Sequence, residues 1–310
     1  MAFTALDVKK LREQTGCGMM DCKKALTESD GDFDKAVEYL REKGLAAAAK
    51  KAGRIAAEGM VYAAADVANK VGVVIEVNAE TDFVAKNDSF QTFVKEVADV
   101  VMAQNPADVE ALMACKLGEQ TVEAALQEKI LVIGENIKIR RFARFEGVCS
   151  AYVHGGGTHG VLVQFDTDDA TAAKAEFTAF GKDIAMQIAA ANPGYLCETE
   201  VPASVIEKEK EILLAQISND PKLAGKPEPV KVKMVEGKIG KFYKENCLVD
   251  QAYVKEPDIS VSKYVENTAK ELGADIEIVK FVRFEKGEGD RKSTRLNSSH
   301  WNKSRMPSSA

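Results

Sequence analysis

The chain has 310 residues, 45% hydrophobic and 29% charged, with a formal net charge of −6, which is enough to bury the cores of roughly two or three domains. Charge interrupts every apolar run before the roughly 20 residues that a membrane span needs, and MAFTALDVKK at the N-terminus lacks the apolar core and cleavage site of a secretory signal. Residues 291–310 hold five basic and no acidic residues, so the rest of the chain carries −11, a balance that argues against direct nucleic-acid binding, which needs clustered Lys and Arg.

The expected location is therefore the cytoplasm, and the expected partner a protein or a small molecule. Six cysteines at 17, 22, 115, 149, 197 and 247 form no Cys-x-x-Cys pair. Cys17 and Cys22 alone cannot complete a tetrahedral zinc site, so reduced thiols, no metal and no cofactor are expected.

In chain order, residues 1–44 read as three short helices. Thr4 with Asp7 has the form of a capping box ahead of Val8 and Leu11. Met19, Cys22 and Leu26 share a helical face. Asp32 caps a third helix that turns Phe33, Ala36, Val37 and Leu40 inward, with Gly44 as its stop. Residues 45–59, LAAAAKKAGRIAAEG, read as a helical linker with a solvated basic face.

The middle of the chain contains a repeat. GVVIEVNAETDFVAKNDSFQTFVKEVADVVMAQNP (72–106) and GVLVQFDTDDATAAKAEFTAFGKDIAMQIAAANP (160–193) align with one gap. Each reads as a strand, an acidic turn, then a helix with Phe90 and Phe93, or Phe177 and Phe180, that ends in Asn-Pro. RRFARFEG (140–147) and VKFVRFEKGEG (279–289) read as matching closing strands. The fold class is thus α+β: two related subdomains, 60–147 and 148–289. Strand-like segments at 148–153 and 160–166, split by HGGGTHG, predict a hairpin and small antiparallel sheets.

An insertion at about 200–245 reads as two amphipathic helices. Ile206, Leu213 and Ile217 on one, and Val232, Val235, Ile239 and Phe242 on the other, form a narrow apolar seam that closes on itself or meets a partner. Residues 290–310, rich in Ser and Asn without apolar period, read as a disordered or vector-derived tail.

Motifs with chemistry are few. GGGTHG (155–160) has the dinucleotide-loop spacing but is followed by a strand rather than a helix, and HGGG (154–157) resembles a lipase oxyanion strip in a chain with no GxSxG serine. A hairpin turn that uses glycines for positive φ accounts for both. His154 with Asp166 or Asp168 is the remaining hydrolase arrangement, and it lacks a nucleophile. TDFV (81–84) has two readings. In one, Thr81 or Asp82 caps the next helix and Phe83 fills the local core. In the other, Phe83 is an aromatic anchor beside a carboxylate, presented to a partner's pocket.

LREQTGCGMMDCKKAL (11–26), the paired GD and YLREKG of 31–44, AAKKAGRIAAEG (48–59), EVNAETDFVAKND (76–88), GENIKIRRF (134–142) and MVEGKIGKFYKE (234–245) occur in this order. From about residue 2 to Gly289 the chain resembles the bacterial translation elongation factor Ts family, the nucleotide exchange factors of elongation factor Tu. The resemblance implies a ubiquitin-associated-like helical N-domain, a core of two repeated α+β subdomains and an inserted antiparallel helical hairpin able to carry a homodimer.

It also implies binding to GDP-bound and nucleotide-free elongation factor Tu. GDP release would follow from displaced magnesium and a loosened phosphate site, without bond chemistry. Thr81, Asp82, Phe83 and Val84 correspond to the segment that enters the partner's G domain near its magnesium. Arg12, Met19 and Met20 are implied further contacts, as is His154 of YVHGG (152–156). Family members end with a further helix after GEG that packs on the partner; here the segment from Arg291 stands in its place. A non-catalytic adaptor that leaves GDP release unchanged is the alternative.

Overall fold

The computed structural model describes residues 3–221, 223 and 225–288; the tail expected at 290–310 lies outside them. Helices α1 (Ala5–Thr15), α2 (Met19–Glu28) and α3 (Phe33–Lys51) form the N-terminal unit around Leu11, Cys22, Leu26, Ala36 and Leu40. The Thr4–Asp7 capping box is present, and Asp32 accepts from the Lys35 N–H at the start of α3.

The first half of the core follows as β1 (Glu58–Asp66), β2 (Val71–Ala79), α4 (Asp82–Ala85), α5 (Asp88–Gln104), α6 (Val109–Ala114), β3 (Lys116–Leu117), β4 (Gln120–Thr121), α7 (Val122–Ile133) and β5 (Lys138–Glu146). The second is β6 (Val148–His154), β7 (His159–Asp166), α8 (Asp169–Ala172), α9 (Ala175–Ala191), α10 (Ala203–Asn219), α11 (Glu228–Asn246), β8 (Ala252–Tyr253), β9 (Glu256–Ser260), α12 (Val261–Leu272) and β10 (Glu277–Glu285). Among the described residues no helix is long and apolar enough to cross a membrane.

Two expectations for the N-terminal unit need correction. Gly44 does not stop α3, which runs on through the expected linker to Lys51. Gly44 instead lies against α7, where an added Cβ would sit 3.5 Å from the Gln127 carbonyl oxygen, so tertiary packing outweighs the roughly 1 kcal/mol helix penalty of glycine. Lys51 Nζ then donates to the Ile130 carbonyl 3.2 Å away, near the C-terminal end of α7. Met19 does not join Cys22 and Leu26 in the core; it is exposed.

The repeat is more extensive than its sequence shows. Two antiparallel three-stranded sheets, β1-β2-β5 and β10-β7-β6, have the same order of strands within each half. Helices α5 and α9 both have 17 residues, bury their phenylalanine pairs, and end at left-handed Asn105 and Asn192 before a proline. Helices α7 and α12 both have 12 residues, hydroxyl N-caps at Thr121 and Ser260, and left-handed glycines Gly134 and Gly273. β5 and β10 each lose register at their third residue, Arg140 and Val279, by a bulge. The α10–α11 hairpin stands where the first half has α6.

The two sheets press face to face. Along β2, Val73, Ile75 and Val77 pack on the helical side, while Val74 packs with Val61, Cys149 and Leu162 between the sheets. Close approach requires glycine at matching positions. An added Cβ at Gly72 would lie 2.5 Å from Leu162 Cδ1 and 2.9 Å from Cys149 Cβ, and one at Gly160 would lie 2.4 Å from Val61 Cγ1.

Between the sheets lies a carboxylate with no exposure, Glu76. Arg140 Nη1 reaches its Oε1 at 3.0 Å and Arg141 Nε its Oε2 at 2.7 Å. Adjacent strand residues ordinarily face opposite ways; the bulge at Arg140 turns both guanidinium groups to one acid. The Asn78 side chain at 3.0 Å and the Gly287 N–H at 2.8 Å complete its shell.

The inserted hairpin closes on itself through Leu213, Ile217, Val235 and Ile239. Val232, expected in that seam, is exposed, as are Ile212, Leu214 and Val230.

Gly72→Ala should lower stability by about 1–3 kcal/mol through overpacking between the sheets. Gly53→Ala, with no atom within 4 Å of the added Cβ, should leave it unchanged in the same denaturant titration. Glu76→Gln leaves two arginines facing a neutral group and should cost about 3 kcal/mol, read as a lower denaturation midpoint.

Candidate functional site

The TDFV segment forms the turn after β2. α4 is a single turn because Asn87, accepting from the Ser89 and Phe90 N–H groups, restarts the chain as α5. Val84 is 6% exposed and anchors the turn in the first core. Phe83, one residue earlier, is 77% exposed. The reading in which Phe83 fills the local core is thereby overturned: helical geometry gives the inward position to Val84 and sends its neighbour outward.

Thr81 stands at the N-cap position of α4 but makes no cap bond. Its hydroxyl donates instead to Glu135 Oε1 at 2.7 Å, while Glu135 Oε2 accepts the Glu80 and Thr81 N–H groups at 3.1 and 3.0 Å. In return, the Asn136 N–H donates to Glu80 Oε1 at 2.6 Å, and Arg54 Nη1 lies 3.4 Å from the same oxygen. The sequence reading missed this clamp; its only signal was a Glu-Asn pair directly after a helix-ending glycine.

Asp82 faces solvent and pairs with Lys86 at 3.1 Å. The Lys86 hydrogen bond and charge, helped by Lys286, hold its carboxyl below the usual carboxylate range. The turn therefore presents an aromatic ring next to an ionised acid.

His154 ends β6 at a tip formed by Gly155, Gly156 and Gly157, all with positive φ. It is exposed, and its Nδ1 lies 3.0 Å from the Tyr152 hydroxyl. His159 lies across the tip, 6.1 Å between ring centroids; burial and Arg283 push its pKa down, so it is neutral at physiological pH. The tip and TDFV occupy the same end of the stacked sheets. Glu58 pairs with Ala79, Val61 donates to the Gly157 carbonyl at 2.8 Å, and Lys286 bonds both Thr158 and Glu58.

The hydrolase arrangement does not form. His154 pairs with His159 at one end of β7, whereas Asp166 is the last residue at the other, about 20 Å away at strand rise. Asp168 is engaged in capping α8 through Thr171. Burial pushes the Cys149 and Cys247 thiols up to about 11 and about 12, so both stay protonated. Cys17 and Cys22 sit inside the N-terminal core, and among the described residues no group of three or more His, Cys, Asp or Glu is placed to hold a metal ion.

Arg12, Met19 and Met20 are all exposed, Met20 by 73%. Gly16, just ahead of α2, faces Val132 of α7, and Leu131 and Val132 pack on the N-terminal core. Glu135 follows three residues later. The methionine-bearing start of α2 and the TDFV turn thus flank the same C-terminal end of α7.

The profile of the family described as Elongation factor TS matches residues 80–288. Curated relatives named Elongation factor Ts match nearly end to end. That of Clostridium perfringens is 53% identical over 294 residues, covering 94% of this chain and 95% of its own. That of Trichlorobacter lovleyi is 49% identical over 296 residues, covering 93% and 94%. That of Syntrophotalea carbinolica is 49% identical over 297 residues, with the same coverage. With the family profile covering residues 80–288 and relatives about half identical over nearly the whole chain, the chain belongs to the elongation factor Ts family, the nucleotide exchange factors of translation elongation.

Proposed function

We propose that the chain exchanges nucleotide on elongation factor Tu by inserting Phe83 into the partner's G domain beside the magnesium and phosphate site, with Asp82 disturbing the metal's oxygen and water shell. The observation that carries this reading is the 77% exposure of Phe83 on a turn fixed by buried Val84 and the Glu135 clamp. A rigid, exposed aromatic is the residue type that binding hot spots favour. Bound GDP is held by backbone donors and by a magnesium ion that shares a phosphate oxygen. A wedge that shifts those donors and a carboxylate that competes in the metal's shell both weaken GDP without making or breaking a bond.

Arg12, Met19 and Met20 add a second contact on the same partner, beyond the end of α7, and His154 adds one from the hairpin tip. Elongation factor Tu is met in its GDP-bound state and left free of nucleotide. Coupling is reciprocal: the factor weakens GDP by as much as GDP weakens the factor, so GTP can displace the factor in turn. Each tenfold acceleration needs about 1.4 kcal/mol of preferential stabilisation of the open state. The outward Ile212, Leu214, Val230 and Val232 of the α10–α11 hairpin suit pairing with a second copy of the chain.

Phe83→Ala should slow release of fluorescent GDP from elongation factor Tu by about tenfold or more, with unchanged melting because the ring is solvated. Raised magnesium should slow release stimulated by the unaltered chain. Binding without any acceleration would leave an adaptor. Asp82→Asn should lose the same fraction of activity at pH 6 and pH 8, since Lys86 keeps the acid ionised across that range. Val232→Glu should turn a sedimenting dimer into a monomer; a chain that is monomeric before substitution removes the pairing.

A further inference from the structure

We propose that Glu135 is a positioning residue for exchange: it touches neither nucleotide nor metal, and fixes the turn from which Phe83 projects. This rests on the reading of Phe83 as the wedge. The carboxylate uses both oxygens on the two residues that precede α4, one on the Thr81 hydroxyl at 2.7 Å, the other on the Glu80 and Thr81 N–H groups. A four-residue helix has too few hydrogen bonds of its own to resist displacement. Without the clamp, Thr81 would hold only a local N-cap geometry that it does not at present satisfy.

The repeat supplies an internal control. Gly134-Glu135-Asn136 after α7 corresponds to Gly273-Ala274-Asp275 after α12, and Asp82-Phe83 at the start of α4 corresponds to Asp169-Ala170 at the start of α8. In the second half the exposed position holds alanine, the clamp position holds alanine, and the turn is capped locally by Asp168, which accepts both the N–H and the hydroxyl of Thr171. The clamping acid and the projecting aromatic occur together in one half and are both absent from the other. A clamp required only by the fold would be needed in both halves.

The clamp also joins two surfaces. Asn136 Nδ2 donates to the Arg54 carbonyl at 2.8 Å, and α7, which ends just before Glu135, carries Leu131 and Val132 against the N-terminal core. The wedge is therefore held at a fixed offset from Met19 and Met20.

The test is a double-mutant cycle on GDP release from elongation factor Tu, with full-length unaltered chain, Glu135→Ala, Phe83→Ala and the double variant at saturating factor. Glu135→Ala should slow release by about tenfold, and Phe83→Ala should then cost less than about twofold more in that background. Glu135→Gln should stay within about threefold of the unaltered chain, because the carboxamide oxygen still accepts the backbone N–H groups while its NH₂ donates to the Thr81 hydroxyl. Losses that multiply, or a Glu135→Ala variant that exchanges normally, overturn the proposal. If Phe83→Ala alone exchanges normally, the wedge reading fails and the positioning role with it, an outcome distinct from multiplicative losses. Should Glu135→Ala not fold, the same cycle with Thr81→Val, which deletes only the hydroxyl Glu135 accepts, decides by the same criterion.

Discussion

The geometry of the working end depends on one buried carboxylate. Glu76 has no contact with solvent, and burying such a charge costs several kcal/mol unless it is fully paired. Its partners come from its own strand and two distant parts of the chain: Asn78 beside it on β2, Arg140 and Arg141 on β5, and the Gly287 N–H after β10. Arg141 also reaches Glu288 and covers the Phe284 ring at 4.2 Å. Satisfying one acid thus requires both sheets and the turn after β10 to be in register. From that point β2 runs three more residues to Ala79 and the TDFV turn, while Lys286 contacts Glu58 and Thr158 and lends its charge to Asp82. The wedge, the hairpin tip and the last described turn take their relative positions from this network.

The internal repeat explains why the scaffold has two such turns, of which one exposes an aromatic. Each half presents a single helical turn after its central strand, at opposite ends of the stacked sheets. α8 satisfies itself locally through Asp168 and carries small residues. α4 gives up its local cap, takes a long-range clamp and carries the aromatic. The exposed aromatic stands on one copy of a symmetric frame, and the inserted hairpin in the other.

Much of the fold was legible because its signals are local. Caps at Thr4 and Asp32, the phenylalanine pairs, the Asn-Pro helix ends and the glycine tip depend on residues a few positions apart. The TDFV turn was legible as a candidate because Phe83 is out of keeping with its polar neighbours. What the sequence hid is separated by distance along the chain. Glu135 meets Thr81 across 54 residues and Gly287 meets Glu76 across 211. Neither pairing leaves a periodicity. Gly44 misled because helix stops are read from local propensity, whereas α3 is sustained by packing on α7. Met19 and Val232 misled for a related reason: a spacing of three or four assigns a face, but the end of a helix can leave that face uncovered.

A braced wedge is suited to an exchange factor because affinity alone does not accelerate release. Energy that binds the nucleotide-loaded and nucleotide-free partner equally shifts neither state. A ring on a loose turn would relax around the closed phosphate site, and ordering it would cost roughly 1–2 kcal/mol for each backbone residue fixed. With Val84 buried and Thr81 held, that ordering is completed on folding. On the proposed wedge reading, the ring then fits only a partner that has opened, and its binding energy appears as weakened GDP. On that reading the same rigidity would limit the final complex: a wedge that cannot adapt would gain little from the closed, GTP-bound site and be expelled when that site re-forms. Release of the factor and release of GDP are thus opposite readings of one coupling energy, and the stiffness of the turn sets how much of the contact energy enters it.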